Sequence, residues 1–431
     1  MSVEVHRAPV VLSAGRPALV DGAVAVAGGR LVAVGTADEV LAALDSAATS
    51  VHEHRGALTP GLVNAHTHLQ YTDMAEVGSA QHAGFESWMS AFMALYPLPR
   101  DWSASAAAGA ALALRSGTTS VAEIVTDAAA GSAVHDAGLH GVAFWEVLGY
   151  TDRTWAEGGE ERVRAQLSAL PSPPATGLSP HAVYSLDTGV IRELSRLSAE
   201  LGVRQHIHAA ESAWEDAYVR SGTGDLAERW RANGRGEFAL LQGGGVGTGV
   251  IRYLDGLGAL SPTTHLAHGI YVAADDRALL RARGVSVALC PRSNRVIGLD
   301  APPVAAYLRE GNAIAVGTDS LSSSPSLSIW HDVAALHDIA RDQGYADDDL
   351  HERLFAAATA GGAHALGLDD TGVLRPDARA DLAVFDVSST DPRDALVELV
   401  ESGPGEASLT VVGGEIHWAG LAAHERATAR V

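Results

Sequence analysis

Between residues 57 and 369, short apolar runs alternate with longer stretches in which apolar positions recur every three or four residues. A short run of this kind fits a strand buried on both faces, and the longer spacing fits a helix with one apolar side. The pattern predicts strands at 60–65, 119–124, 140–147, 175–180, 203–208, 263–268, 285–290 and 312–318. It predicts helices over 102–116, which Gly117 stops, and over 187–201, 274–283, 302–310 and 326–341. Eight strands alternating with helices imply an α/β fold, a distorted (βα)8 barrel with a parallel sheet.

The two ends of the chain read differently. Residues 8–36 and 372–418 alternate short strand-like phrases with glycine turns, as in AVAVAGG, RLVAVG and LTVVGGEIHW. The expected division is therefore a barrel over 57–369 and a strand-rich remainder made of 1–56 and 370–431. The stretch from Gln242 to Gly249 is glycine-rich, but it is out of register with a dinucleotide loop and has no lysine after it. It reads as a loop leading into a helix.

Composition narrows the classes. The chain has 431 residues, 47% hydrophobic and 19% charged, which fits a soluble globular enzyme. A formal net charge of -22 argues against a nucleic-acid partner, whose phosphates need clustered cations. Cys290 is the one cysteine, so no intrachain disulfide forms and a cytoplasmic location is expected. The start lacks the basic region of a signal peptide, and no run reaches the ~18–20 apolar residues of a membrane span. No membrane partner is expected, and a homodimer is left open. All 30 basic residues are arginine.

The candidate chemistry lies at the strand ends, where barrels of this kind hold their catalytic groups. His66 and His68 close the first strand, and their two-residue spacing turns both imidazoles to one face. His208 ends the fifth strand, His268 the sixth, and Asp319 the eighth. Imidazoles with a carboxylate suit zinc or ferrous iron with a position open to water. Bound zinc brings the pKa of water to about 7. Glu211 stands on the loop leaving the fifth strand, as a proton donor into the same cavity or as an acidic residue at a helix N-terminus. The expected cofactor is one divalent metal ion, zinc ahead of iron.

The phrases PGLVNAHTHL, HIHAAES, LAHG, CPRSN and GTDS, in this order and spacing, resemble the amidohydrolase superfamily, in its nucleoside and nucleobase aminohydrolase branch. The resemblance covers nearly the whole chain. It implies that the paired ends join into a small β-sandwich beside the barrel, and that His66, His68, His208 and Asp319 hold the metal. It makes Glu211 the proton carrier to the ring nitrogen and His268 the group that orients the attacking water. Asp319 would also take the water's proton and pass it to departing ammonia. Binuclear relatives bridge two metals with a carbamylated lysine from the fourth strand, whereas this chain has Ser179-Pro180-His181 there and no lysine at all. The single cysteine also excludes the H-x-E…P-C-x-x-C deaminase site.

For the substrate, HLQYTDM, CPRSNRVIGLD and TDSLSSSPSLSIW are most similar to 6-aminodeoxyfutalosine deaminases of menaquinone biosynthesis. This implies an adenine nucleoside with a carboxyphenyl extension. S-adenosylhomocysteine, methylthioadenosine or guanine deamination and triazine chlorohydrolysis are the alternatives within the class; a catalytically silent metal-binding homologue is the alternative outside it. Gln70, Trp88 and His181 are the expected substrate contacts, His181 also reading as a support for the metal site. Arg100, Arg153 and Arg292 are candidates for a substrate carboxylate. Relatives acting on adenosine or S-adenosylhomocysteine carry a Pro-x-Glu that holds the ribose; here the chain reads Pro97-Leu98-Pro99-Arg100, so ribose recognition does not transfer.

Overall fold

The architecture comes from a computed structural model that describes residues 2–44 and 49–420; residues 1, 45–48 and 421–431 lie outside the described residues. The parts of the two expected end segments that fall on those positions are therefore not described. Eight parallel strands follow one another in chain order: Leu62–Thr67, Thr118–Val125, His140–Val147, Ala175–Pro180, Gln205–Ala209, Thr264–His268, Ser286–Leu289 and Ile314–Val316. Each overlaps an expected run, and the third and fourth coincide with 140–147 and 175–180. Every residue of Thr118–Val125 is buried. A strand covered on both faces has no solvent-facing side, so Thr118, Thr119, Ser120 and Glu123 stand buried in it without the in-and-out alternation of a half-exposed strand.

The helices between them have local causes. Thr188–Leu201 begins at Asp187, whose carboxylate caps the first turn, and ends at Gly202 with φ +65. Trp102–Arg115, Ala274–Arg283, Val304–Glu310 and Ile329–Asp342 stand close to their expected positions. The helix Pro392–Ser402 was not legible as such: it lies within the strand-rich C-terminal end and packs on Ile329–Asp342 and Leu350–Ala358. Asp391 accepts from the N–H groups of Arg393 and Asp394, and Pro392 occupies the first turn, where its missing N–H costs nothing.

Both chain ends meet in a second sheet of eight strands. Its order is Glu415–Ala419, Leu409–Val412, Leu382–Phe385, Ala57–Pro60, Val3–Val11, Leu19–Ala27 and Arg30–Thr36, with Thr49–Glu53 pairing on Val3–Val11. Ala57–Pro60 is the joint: it runs antiparallel to Leu382–Phe385 and parallel to Val3–Val11. Hydrogen bonds thus link all the strands in one continuous sheet. The expected strand 60–65 divides here into an end-sheet strand and the first barrel strand, with Gly61 between them donating to the Asp381 carbonyl at 2.9 Å. The interiors are continuous too, since Phe385 of the end sheet packs edge-on against Trp330 of a barrel helix, centroids 5.7 Å apart.

The barrel closes just past its eighth strand. The His66 carbonyl accepts from the N–H groups of Thr318 and Asp319 at 3.2 and 3.0 Å. The Asn64 amide donates to Thr318 Oγ1 at 2.7 Å and its oxygen accepts from the Thr318 N–H at 3.2 Å. Gly317 allows that approach: a Cβ there would stand 2.8 Å from His66 Cβ and 2.9 Å from Cys290 Sγ. Gly317→Ala is expected to destabilise the fold by about 1–3 kcal/mol through overpacking. It should appear as a lower urea midpoint with an unchanged slope; an unchanged midpoint would show that the seam yields.

Candidate active site

The ends of the barrel strands aim the polar groups into one mouth. Three non-glycine residues there take left-handed backbone conformations: Ala210 at φ +54, His268 at +74 and Asp319 at +59. Such conformations cost about 1–3 kcal/mol each and persist only where surrounding structure enforces them. For Asp319 the enforcement is visible in the two N–H groups bonded to the His66 carbonyl.

His68 Nε2 lies 3.3 Å from His208 Nε2. Asp319 Oδ1 lies 3.7 Å from His66 Nε2 and 3.8 Å from His68 Nε2. The separations to Asp319 are too long for hydrogen bonds. They match the edges of a coordination shell, in which donors about 2.1 Å from a tetrahedral ion are roughly 3.4 Å apart. His66 Nε2 is buried and bonded to nothing, which fits a metal donor. The other oxygen of Asp319 is already occupied, since Ser293 and Ser323 each donate a hydroxyl to Oδ2 at 2.8 Å. The Ser320 N–H donates to Oδ1 at 2.7 Å, fixing the carboxylate plane. These four residues could hold one divalent ion.

Electrostatics agrees with that donor set. Burial, followed by the neighbouring imidazoles, depresses the pKa of His66 and His208 well below the ordinary histidine value. His68 falls to about 4, with burial outweighing the opposing pull of Asp319. Neutral imidazoles are the form that binds metals, so the apparent ion pairs with Asp319 are contacts of neutral rings. His66 Nδ1 faces His206 Nε2 at 3.2 Å, and His208 Nδ1 donates to the His181 carbonyl at 3.1 Å. Those bonds leave both Nε2 atoms for the mouth.

Beside the donors stands an acid. Glu211 Oε1 is 3.6 Å from His268 Nε2, while His268 Nδ1 faces Asn294 Oδ1 at 3.3 Å. Burial first and Asp319 second raise the pKa of the Glu211 carboxyl well above the usual carboxylate range, which favours the form that carries a proton to give. The helix Ala213–Ser221 starts after it, but Ser212 caps that helix by accepting from the Glu215 N–H at 3.2 Å, leaving the Glu211 side chain free for the cavity.

The remaining expected residues divide. His181 stands at the mouth with its ring 4.8 Å from that of His208 and Nδ1 on Ser185 Oγ at 2.9 Å. Gln70 is buried and bonds Thr126 at both ends of its amide, at 2.6 and 3.0 Å, which makes it a loop tie. Trp88 lies on the helix Phe85–Leu95 and donates to the Ser322 carbonyl at 2.9 Å. The three arginines have protein partners: Arg292 meets Ser326 and Asp332, Arg100 the Asp73 carbonyl, and Arg153 the surface residues Glu157 and Glu237.

Residues 57–416 match the Amidohydrolase family profile. The 5-methylthioadenosine/S-adenosylhomocysteine deaminase of Nitratidesulfovibrio vulgaris strain Hildenborough is 30% identical over 420 residues, 93% of this chain and 88% of that protein. The chain belongs to the amidohydrolase family. Among solved structures it shares its fold with the Helicobacter pylori aminofutalosine deaminase, at TM-score 0.81 and 20% identity over 96% of this chain and 99% of that one. A zinc-bound adenosine deaminase from Xanthomonas campestris aligns at TM-score 0.78 and 23% identity, over 99% and 97% of the respective chains.

Sequence reasoning passed over several groups of this amidohydrolase site. Glu123 and Glu146 sit near the ends of the second and third strands, where the strand-end rule pointed without being applied. Glu123 accepts the Leu69 N–H on both oxygens, at 2.9 and 3.1 Å, and locks the turn after His68. Glu146 Oε1 is buried without a hydrogen bond, 3.8 Å from His208 Nδ1, and burial with Asp319 nearby raises its pKa to about 8. Ser293, Asn294 and Ser323 fall inside phrases already singled out, but their contacts to Asp319 and His268 exist only in three dimensions.

The donor geometry predicts a single tightly held divalent ion at the barrel mouth. His208→Ala and Asp319→Asn should each lower retention of that ion on dialysis, read by elemental analysis at matched folding. Retention equal to wild type in both would remove these residues from the site.

Proposed function

We propose that this amidohydrolase is a metal-dependent hydrolytic deaminase of an adenine nucleoside, with 6-aminodeoxyfutalosine as its substrate and futalosine and ammonia as products. One observation carries the reading: three imidazoles and Asp319 Oδ1 converge while the buried carboxyl of Glu211, its pKa raised, stands 3.6 Å from His268 on the same cavity. The deaminase name of the 30%-identical relative supports the reaction and the adenine nucleoside class.

His66, His68, His208 and Asp319 would hold the ion, zinc ahead of iron, which when bound supplies Lewis acidity that brings water to a near-neutral pKa. Asp319 accepts a proton from the attacking water, and His268 orients that water towards C6 of the adenine ring. Glu211 donates to N1 as the C–O bond forms, so negative charge does not build on the ring. The proton held by Asp319 then passes to the exocyclic nitrogen, the C–N bond breaks and ammonia departs, while the new C6 hydroxyl returns a proton to Glu211 and becomes the product carbonyl. His181 lies where it meets the base, and Trp88 covers it from the helix Phe85–Leu95.

The extension of the nucleoside is assigned to a pocket lined by Phe85, Met89, Trp214, Leu226 and Arg229, with the carboxylates of Glu86 and Asp225 also on its wall. Trp214 is in the first turn of the helix that follows Glu211. The phenyl ring would pack on Phe85, Met89, Trp214 and Leu226, and Arg229, which donates to Ser90 Oγ at 3.3 Å and lies 3.9 Å from Glu86, would exchange that distant carboxylate for the one on the substrate. Methylthioadenosine and S-adenosylhomocysteine fit the same reaction with a different use of this pocket.

Ammonia release should be compared on metal-loaded protein with adenosine, S-adenosylhomocysteine, methylthioadenosine, guanine and 6-aminodeoxyfutalosine. Preference for the last is expected; preference for another nucleoside would keep the reaction and discard the menaquinone role. Losing a charge-assisted hydrogen bond worth roughly 1.5–3 kcal/mol, Arg229→Ala should lower kcat/KM for 6-aminodeoxyfutalosine by about 10–100-fold and spare methylthioadenosine. Equal losses on both would remove Arg229 from recognition of the extension.

Glu211→Gln should retain the ion while kcat falls by about 10²–10⁴. Because the Glu211 pKa is raised and its acid form is the active one, wild-type kcat/KM should decline as pH rises through that value. A near-normal rate in Glu211→Gln would exclude it as the proton carrier.

A further inference from the structure

Three helices outside the barrel mouth bring together a second set of metal-type donors. His337 lies on Ile329–Asp342, His351 on Leu350–Ala358 and Glu401 on Pro392–Ser402. Glu401 Oε1 is 2.9 Å from His351 Nε2 and 3.6 Å from His337 Nε2. One ligand atom from each residue lies within 4.8 Å of the other two. The imidazole centroids are 5.1 Å apart with the rings tilted by 33°, so their edges can turn towards one point.

The hydrogen bonding is incomplete without something at that point. His351 can donate to Glu401, which satisfies a simple His–carboxylate pair. His337 Nε2 is buried and has no hydrogen-bond partner. Its other nitrogen faces the exposed carboxylate of Asp338 at 3.4 Å, an arrangement that puts the proton on Nδ1 and turns the Nε2 lone pair towards Glu401. In that tautomer the Nε2 lone pair and a Glu401 oxygen face each other at 3.6 Å, a separation that a divalent cation ligated by both would bridge. The side chains of His337 and His351 are 12% and 13% exposed, whereas Glu401 is 47% exposed, so the cluster is walled on two sides and open to water on the third.

We propose that His337, His351 and Glu401 form a second divalent-metal site, of zinc type, with water completing the shell. Two imidazoles and one carboxylate are a borderline donor set that favours zinc, cobalt or nickel over magnesium and calcium. The site joins Pro392–Ser402, the helix between two end-sheet strands, to two helices of the barrel. A cation bound only in the folded state clamps these elements together and stabilises the chain by mass action. The site takes no part in the reaction and differs from the mouth in having a half-exposed ligand, so its ion should exchange more readily.

Full-length protein carrying its tightly held barrel ion is dialysed against micromolar zinc, and bound zinc is counted by elemental analysis. Wild type is expected to take up one further equivalent and to gain about 3–6 °C in apparent Tm at zinc well above the site's dissociation constant. Glu401→Gln, nearly isosteric and exposed enough not to threaten folding, and His351→Ala should each lose that equivalent and the zinc-dependent gain. Both should keep the tight ion and the unliganded Tm within a few degrees. With cobalt as the probe, wild type but not the variants should add a second set of visible absorption bands. Failure of wild type to take up the further equivalent, or the same uptake and Tm gain in both variants, would overturn the proposal.

Discussion

The backbone carbonyl of His66 binds the N–H groups on both sides of the Thr318–Asp319 peptide bond, at 3.2 and 3.0 Å, and much of the molecule depends on it. Those bonds close the parallel sheet between its first and last strands. They also hold Asp319 in a left-handed conformation, φ +59, which directs its carboxylate at the imidazoles of His66 and His68. Barrel closure and assembly of the donor set are therefore one event. The end sheet takes part in the same constraint, because Ala57–Pro60 is tied into it and leads through Gly61 directly into the strand that carries His66.

Burial then separates the chemical tasks of groups that are close together. Desolvation penalises charge wherever it falls, so it lowers the pKa of the His66 and His208 imidazoles and raises that of the Glu211 carboxyl. Around Asp319 five groups are arranged: two serine hydroxyls and the Ser320 N–H donate to it, and two imidazole nitrogens face its inner oxygen. The proposed reaction uses this contrast, with Asp319 as the acceptor and Glu211 as the donor of protons within one mouth. The division comes from hydrogen-bond supply and needs no difference in residue type.

The sequence made the barrel legible because fully buried parallel strands leave a signal of position and length. The apolar residues of Thr118–Val125 gather at Val121, Ala122, Ile124 and Val125, His140–Val147 is apolar between His140 and Glu146, and both strands appeared at their places. The residues whose spacing matters locally were legible too: His66 and His68 share a strand face, and Glu211 follows His208 by less than a helical turn. What could not be seen was set by contacts across the chain. Gln70 looked like a mouth residue until its amide was found on Thr126, and Arg292 looked available until Asp332 was found beside it. The helix Pro392–Ser402 was lost among strand phrases because its identity rests on a proline-and-aspartate start and on packing against distant helices.

Selectivity has to be sought away from the reacting groups, since the imidazoles, Asp319 and Glu211 serve any amino-substituted ring equally well. The part of the mouth with individual character is the aromatic ladder that begins at His68. Tyr71 stacks on that imidazole at 5.4 Å, Phe92 meets Tyr71 edge-on at 5.2 Å, and Trp88 and Tyr96 flank Phe92 on the same helix at 5.5 and 5.4 Å. The helix Phe85–Leu95 is therefore coupled to a donor residue through ring packing at one face, while Phe85 and Met89 line the pocket with Trp214 and Arg229. A substrate that fills this pocket presses on the same helix that steadies Tyr71 against His68. Under the proposed function, recognition of the extension and positioning of the His68 ring are therefore coupled through this helix, so a substrate without the extension would lose binding contacts and, with them, some of the order that the reacting end requires.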